Sequence, residues 1–330
     1  MNIFEVCLTN YCNFKCSYCI SDPTRGCDKF SQPLKLDNNG DLLLHSPKLS
    51  EEEILKRDIL LKLHGQKALD EYIQSEHDKW FKTKDEKHDY SDWLNFEALI
   101  DFIRTKLSDD WLINLTGGEP LYYPKIENLI TELAKTHKIL LTTNLSLVRS
   151  KPQLLDIPRD KLFFRVGYHP EFRNTSTFVE CIKYLTDNNF KYIINYVIHP
   201  SYYTNSIKYK EHLKILKDNK FLFEVTPFEG KWNDKTYPTK FSERSELETK
   251  LFSINTKFEA DYSPMGMKFM ICEPNGDIYE CQGKNEKLGQ IYTKELEHKL
   301  VSHSLCFLTK GCPTLKSANM YLKVFLNDKI

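Results

Sequence analysis

Apolar and polar positions repeat with two different periods along most of the chain. Short runs rich in branched and aromatic residues predict β-strands, and these runs lie at 2–8, 111–115, 139–143, 163–168, 192–198 and 221–226. Between several of them, apolar residues recur every three or four positions, which predicts helices around 96–107, 124–133, 178–185 and 209–216. This alternation predicts an α/β fold built on a parallel sheet.

Two parts of the chain break the alternation. Residues 28–92 are too many for a compact strand-to-helix connection, so we predict a helical insertion there, either a lid or a peripheral decoration. Past Phe228 the alternation stops, and residues 229–240 are polar and rich in turn formers, which predicts a domain boundary. The sequence therefore divides into 1–228, which contains the insertion, and a smaller part, 229–330.

Composition narrows the expected partners and the compartment. Lys plus Arg and Asp plus Glu number 46 each, so no net charge attracts nucleic acid or an anionic membrane. No apolar run is long enough to cross a bilayer, and the first residues do not resemble a signal peptide. We therefore expect a cytoplasmic protein, with neither nucleic acid nor membrane as a partner, whose ten cysteines stay reduced.

A close group of three cysteines offers the clearest chemistry. Cys12, Cys16 and Cys19 follow the first predicted strand with the spacing C-x3-C-x2-C. Three thiolates can hold three irons of a cubane 4Fe-4S cluster and leave the fourth iron open to a substrate or cofactor, whereas an electron carrier normally uses four cysteines. The alternative is a structural zinc site that takes Cys7, Cys27 or a histidine as its fourth ligand.

These cysteines, with Tyr18 before the last of them, resemble the cluster motif C-x3-C-x-aromatic-C of the radical S-adenosylmethionine (radical SAM) superfamily. A second signature agrees, because the run Gly117-Gly118-Glu119-Pro120 follows a predicted strand, where that superfamily has its GGEP turn. The resemblance implies a partial, open βα barrel of six units. It also implies a 4Fe-4S cluster, S-adenosylmethionine bound at the open iron, and an electron donor such as flavodoxin or ferredoxin.

Several other side chains are candidate cofactor contacts. The carboxyl ends of parallel strands meet at one edge of a sheet, where binding residues collect. The resemblance and this placement together indicate contacts from Tyr18, the glycine turn at 117–120, Thr142, Asn144 and Asn195. Asn144 has an alternative interpretation as a turn residue that tolerates unusual backbone angles.

Two residues are candidate catalysts. His169 follows the fourth predicted strand, and we interpret it either as a turn-packing residue or as a catalytic group at a strand end. Cys27 is the thiol least committed to a motif, so it is a candidate hydrogen-atom donor, which an epimerase would need.

The C-terminal part carries a second set of thiols. Its cysteines form two pairs, namely Cys272 with Cys281 and Cys306 with Cys312. The Asn-Gly pair at 275–276 predicts a hairpin turn that brings the first pair together. The segment resembles the SPASM and shorter twitch auxiliary-cluster domains of the superfamily, in which Gly-x4-Cys follows a hairpin. The longer type has seven cysteines, so we expect at most one second 4Fe-4S cluster, with a zinc knuckle as the alternative.

The resemblance implies an enzyme that cleaves S-adenosylmethionine reductively to a 5′-deoxyadenosyl radical, which removes a hydrogen atom from the substrate. Peptide-modifying relatives commonly carry a recognition domain before the cluster motif, and here eleven residues precede Cys12. We therefore expect a small polar metabolite, such as a sugar or nucleotide-linked sugar, and its oxidation or epimerisation. The alternatives are a peptide or protein modifier that uses residues 28–92 for recognition, and a non-catalytic, zinc-stabilised binding protein.

Overall fold

The computed structural model describes residues 2–9, 12, 94–170, 175–198, 206–227, 230–232, 235–237, 269–280 and 287–296. Several predicted features lie outside these ranges, namely the insertion at 28–92, Cys16, Tyr18, Cys19, Cys27, Cys281, Cys306 and Cys312. What the sequence predicts for them stays a prediction.

The centre of the fold is a parallel sheet whose strands alternate with helices. The strands are β1 (Asn2–Cys7), β2 (Trp111–Thr116), β3 (Lys138–Thr143), β4 (Leu162–Tyr168), β5 (Lys191–Ile198) and β6 (Phe223–Pro227). They pair in this order, and each of these pairs is parallel. The helices between them are α1 (Phe96–Lys106), α2 (Ile126–Ala134), α3 (Thr175–Asp187) and α4 (Ser206–Asp218). The six predicted strands and four predicted helices are confirmed, with ends shifted by a few residues.

The helices form where the sequence provides an apolar stripe and a suitable first residue. In α1, the Asn95 side chain accepts a hydrogen bond from the Ala98 amide and caps the first turn. Its buried stripe consists of Leu99, Ile100, Phe102 and Ile103. Helix α2 begins at Ile126 and not at the predicted Pro124, because Lys125 has φ 59° and a left-handed residue cannot belong to a right-handed helix.

The two faces of the sheet differ in chemistry, because side chains alternate between faces along each strand. One set of positions packs with the helices in the main core, which includes Phe4, Ile113, Leu141, Phe164 and Ile194. The opposite, inner face has its own apolar cluster near the amino ends of the strands. We call this cluster the inner floor; it consists of Ile3, Leu112, Leu140, Phe163, Ile193, Phe269 and Ile271.

Beyond β6 the chain forms short strands. β7 (Gly230–Trp232) and β8 (Lys235–Tyr237) make a separate antiparallel pair. β9 (Phe269–Cys272) then returns to the main sheet and pairs with β1 in parallel. β10 (Asp277–Tyr279), β11 (Lys287–Gln290) and β12 (Glu295–Leu296) continue outward as an antiparallel meander. Within the described ranges, the main sheet thus has ten strands and two ends, so the barrel is open, as predicted.

The meander is tied to the rest of the fold at the start of α1. β9 and β10 form the predicted hairpin, and Gly276 at its turn has φ 85°, which glycine adopts at little cost. Lys294 forms an ion pair with Asp101 of α1, and the Tyr292 hydroxyl accepts a hydrogen bond from the Asn95 amide, 3.3 Å away. The predicted boundary near residue 228 stays a prediction. Among the described helices, none is long and apolar enough to cross a membrane.

Candidate functional site

The carboxyl ends of β1, β2 and β3 meet at one edge of the sheet, and the first cysteine of the motif lies there. Cys12 is partly buried, and its Sγ lies 4.0 Å from Nδ2 of Asn144, which follows β3. We call this edge, made of Thr9, Cys12, the turn at 117–120 and the turn at 143–146, the cysteine edge. The structure therefore brings one predicted cluster ligand together with one predicted cofactor contact.

The glycine turn supports the backbone that leads to Cys12. Gly117 has φ 123°, and a Cβ on it would overlap the carbonyl oxygen of Thr9. The Gly118 amide donates a hydrogen bond to that same oxygen, 2.7 Å away. That these glycines admit a ligand stays a prediction. The structure shows that they admit the backbone at Thr9, just past β1, a role that the motif alone did not reveal.

Glu119 is a buried carboxylate that joins the two turns of the cysteine edge. It is 1% exposed. Its Oε1 accepts hydrogen bonds from the Leu121 amide at 3.0 Å and from the Thr143 hydroxyl at 2.6 Å, and its Oε2 accepts one from the Asn144 amide at 2.8 Å. Burying a carboxylate is costly unless hydrogen bonds replace its water, and here backbone and side-chain donors do so. Pro120 begins the short 3-10 helix Pro120–Tyr122, which Glu119 caps.

The turn after β3 is fixed by its own side chains. Thr143 Oγ1 accepts a hydrogen bond from the Leu145 amide, and Asn144 Oδ1 accepts one from the Ser146 amide. Leu145 is buried and has φ 58°, a left-handed conformation that disfavours residues with a Cβ. Asn144 does lie in a turn and beside Cys12, but the unusual backbone angle of this turn is at Leu145 and not at Asn144.

A polar layer lies on the inner face, directly above the inner floor. Each of the six barrel strands contributes one inward polar side chain, and we call them the inner belt: Glu5, Asn114, Thr142, Arg165, Asn195 and Glu224. Asn114 donates to Glu5, with 3.0 Å between Nδ2 and Oε2, and Thr142 donates to Asn114, with 2.9 Å between Oγ1 and Oδ1. The predicted contacts Thr142 and Asn195 therefore share one face.

The inner belt is buried at one end and accessible at the other. Glu5 and Asn114 are buried, whereas the remaining members, on β3 to β6, are partly exposed. No sequence motif marks Glu5, Asn114 or Arg165. A polar residue at an inward position of an otherwise apolar strand is the signal that could have found them.

His169 lies just past the end of β4, on the same side as the inner belt. Its imidazole covers Gly167, where an added Cβ would overlap Nε2. Gly167 is in register with Asn195, and Asn195 is in register with Glu224. Burial lowers the pKa of His169 from 6.5 to about 4, so the ring is neutral at pH 7. A neutral imidazole can both accept and donate a hydrogen bond.

Of the four cysteines predicted to form the auxiliary site, the structure describes Cys272, which lies on the opposite face of the sheet from the inner belt. It ends β9 next to Val6 and is 0% exposed on the helix side of the sheet. Its thiol donates to the Glu273 carbonyl, 3.4 Å away, and burial raises the pKa of the thiol well above 9.0. Among the described residues, no group of three or more metal-ligating side chains occurs. The auxiliary cluster therefore stays a prediction.

Comparison with known proteins identifies the architecture. No family model and no curated protein matches the sequence. The structure of anSMEcpe with bound AdoMet matches with TM-score 0.53, covering 94% of this chain and 82% of that one at 12% identity. anSMEcpe with bound AdoMet and Cp18Cys peptide matches with TM-score 0.51, covering 93% and 80% at 12% identity. These matches, at 12% identity, show that this chain shares its open βα fold with anSMEcpe.

Proposed function

We propose that this protein is a radical SAM enzyme whose cluster is held by Cys12, Cys16 and Cys19. The observation that carries the proposal is the position of Cys12, which follows β1 and lies beside Asn144, after β3, in a barrel shared with an AdoMet-binding enzyme. The described part of the site fits this cofactor, because it offers a thiol ligand and an amide donor, and Glu119 joins the two turns beside them. Bound together, a 4Fe-4S cluster and AdoMet supply one-electron cleavage and hydrogen-atom abstraction.

In this proposal, the protein holds the cysteine segment and the neighbouring turns in fixed positions. Gly117 and Gly118 hold the Thr9 carbonyl and thereby fix where the cysteine segment leaves β1. Glu119 fixes the two neighbouring turns relative to each other. Because these hydrogen bonds are formed before the reaction, no free energy is needed to reorganise them when it occurs. The predicted contacts Tyr18, Thr142, Asn144 and Asn195 complete the proposed cofactor side.

For the substrate, we propose a small polar metabolite, such as a sugar or nucleotide-linked sugar, that is oxidised or epimerised. The inner belt supports this class, because beside the proposed cofactor contacts its accessible part offers the guanidinium of Arg165 and the carboxylate of Glu224 above an apolar floor. Polar groups of this kind fix the orientation of a ligand rich in hydroxyl groups. His169 is the proposed proton acceptor or hydrogen-bond partner of the substrate, and Cys27 is the proposed hydrogen-atom donor for an epimerase.

Modification of a peptide or protein is the second candidate. It is supported by the matching structures of anSMEcpe, which are described with bound peptides as well as AdoMet. These two candidates differ in where the substrate extends, because a peptide must leave the barrel mouth whereas a metabolite need not. Products formed from a peptide library, compared with those from sugar nucleotides, would separate them.

The remaining parts of the proposal concern electrons and location. A small cytoplasmic reductant such as flavodoxin or ferredoxin is the proposed electron donor, and the protein is proposed to act in the cytoplasm. A second 4Fe-4S cluster at Cys272, Cys281, Cys306 and Cys312 is proposed to accept an electron or to support the structure. With it, reconstituted protein should contain on the order of eight irons per chain, and Cys272→Ala should contain about four. About four irons in both proteins would eliminate the second cluster.

Anaerobic reconstitution tests the central proposal. Wild-type protein should bind iron and acid-labile sulfide and give a reducible 4Fe-4S signal that changes when AdoMet is added, because AdoMet binds the open iron. Replacing Cys12, Cys16 and Cys19 by Ala should abolish 5′-deoxyadenosine formation with dithionite. The matched control is Cys181→Ala, which removes a buried thiol of α3 outside every motif. Zinc without sulfide in wild-type protein would instead support the non-catalytic, zinc-stabilised binding protein.

A further inference from the structure

The three hydrogen bonds of Glu119 reach two separate turns. One comes from Leu121, in the turn after β2, and two come from Thr143 and Asn144, after β3. A buried carboxylate with donors on both oxygens has one orientation, since any rotation would leave a buried polar group unsatisfied. Glu119 therefore fixes the position of the Asn144 backbone relative to the glycine turn.

The side chain of Asn144 is oriented as well. Its Oδ1 accepts from the Ser146 amide at 2.9 Å, so the amide oxygen is identified by its partner. The nitrogen must then point the other way, and it faces the sulfur of Cys12 at 4.0 Å. A chain of contacts thus runs from a buried carboxylate, through one asparagine, to the first cysteine of the motif.

We infer that Glu119 is a positioning residue that acts through Asn144, holding its side-chain amide as a hydrogen-bond donor to the sulfur of Cys12. The inference rests on the proposed function, because it concerns a thiolate that ligates the cluster. Donors to ligand sulfur stabilise the electron-rich, reduced form, and hydrogen bonds to the sulfurs are among the factors that set the potential of an iron–sulfur cluster. The pair therefore raises the reduction potential of the cluster.

The test is a redox titration of reconstituted protein, followed by EPR without substrate. Asn144→Ala removes the donor, so the midpoint potential should fall. At a fixed potential, the ratio of reduced to oxidised cluster should fall about tenfold, which corresponds to about 59 mV for a one-electron couple. Glu119→Gln should shift the potential in the same direction, because one carboxylate oxygen becomes an NH2 donor, which cannot accept the amide hydrogen bond of Leu121 or of Asn144.

A double variant distinguishes positioning from a separate electrostatic effect. If Glu119 acts through Asn144, Glu119→Gln combined with Asn144→Ala should have the midpoint potential of Asn144→Ala alone. Additive shifts would overturn the inference. The matched control is Glu127→Gln on α2, which also removes one carboxylate that accepts a backbone hydrogen bond, and it should leave the potential unchanged.

The outcomes separate this inference from the proposed function. A cluster that responds to AdoMet, with wild-type potential in both Asn144→Ala and Glu119→Gln, would overturn the inference and leave the function standing. Absence of any cluster in wild-type protein would overturn the function itself. If Glu119→Gln fails to fold by circular dichroism, Thr143→Val replaces it, since it removes one Glu119 hydrogen bond; a potential lowered in the same direction supports the inference, and an unchanged potential overturns it.

Discussion

Glu119 and Glu224 are both carboxylates of the barrel, Glu119 in the turn after β2 and Glu224 within β6, and their surroundings differ. Glu119 is 1% exposed and accepts three hydrogen bonds at the cysteine edge, whereas Glu224 is partly exposed on the inner belt. A buried, fully bonded group cannot exchange partners cheaply, whereas an accessible one can replace water with a ligand. The cysteine edge is thus built to hold positions, and the accessible part of the inner belt is suited to contact a substrate.

If the cysteine edge is rigid, the largest loss of stability should come from substituting Gly117. Gly117→Ala places a Cβ against the Thr9 carbonyl at φ 123°, so backbone must move, and we expect a loss of about 2–4 kcal/mol in the free energy of unfolding. Urea unfolding measures this loss, and iron content should fall as well. Wild-type stability in Gly117→Ala would mean that the cysteine edge is not rigid.

Leu145 should show a smaller loss, set by two opposing terms. Leu145→Gly relieves a left-handed backbone, which contributes roughly 1–2 kcal/mol, but it removes a fully buried side chain, which costs about 2–5 kcal/mol. We therefore expect a net loss of roughly 1–3 kcal/mol. Lys125→Gly is the matched control, since Lys125 has φ 59° and an exposed side chain, and it should stabilise the protein. Equal effects at both positions would contradict this account.

Because the thiol of Cys272 is buried, we expect the free energy of unfolding of the metal-free protein to depend on pH. Burial, followed by the charges of Glu273 and Asp277, raises the pKa of its thiol above 9.0. The unfolded chain then loses this proton first as pH rises, so stability should decline above about pH 9, by at most about 1.4 kcal/mol per pH unit. Urea unfolding between pH 7 and pH 10 should show this decline in wild type but less in Cys272→Ala. Parallel curves would show that the thiol does not titrate in this range.

The smallest change in stability is expected at Gly167, which lies on the same face as the inner belt. A Cβ there meets the His169 ring, a movable side chain, so Gly167→Ala should cost less than about 1 kcal/mol. The displaced imidazole gains water, and its pKa should rise from about 4 toward 6.5. Because the folded-state pKa is lowered, wild type loses stability as pH falls from 6.5 toward 4, and the variant should lose less.

Imidazole NMR signals measure this shift directly. His137 is the internal control, because burial also lowers its pKa, but it contacts Thr136 and Ser108 at the opposite end of β3. Its titration should be the same in both proteins. If the pKa of His169 is the same in Gly167→Ala as in wild type, the burial of the ring does not depend on its contact with Gly167.

The sequence predicts the barrel strands and helices well because each carries a local period. The inner floor and the main core occupy alternate positions of the same strands, so apolar residues mark both faces. The parallel pairing of β9 with β1 was not predicted, because nothing local indicates which distant strand borders a given one. It depends on long-range contacts such as Val6 with Cys272.

Within the site, the sequence indicates which residues take part better than it indicates which groups they bond to. Glu119 was selected as a cofactor contact, and the structure adds three hydrogen bonds within the protein that no motif specifies. Glu5 and Asn114 were missed because one polar residue hardly changes an apolar run, although together they form a buried pair. Cys16, Cys19 and the other cysteines outside the described ranges stay predictions.

The position of β1 between β2 and β9 has a consequence for biosynthesis. β1 is made first, but one of its two neighbours is made near the end of the described chain. Until β9 docks, β1 presents an unpaired backbone edge, which is a site for mispairing and aggregation. We therefore expect the proposed metal insertion at Cys12 to follow docking of β9, and conditions that lengthen the interval between synthesis of β1 and synthesis of β9 to increase aggregation.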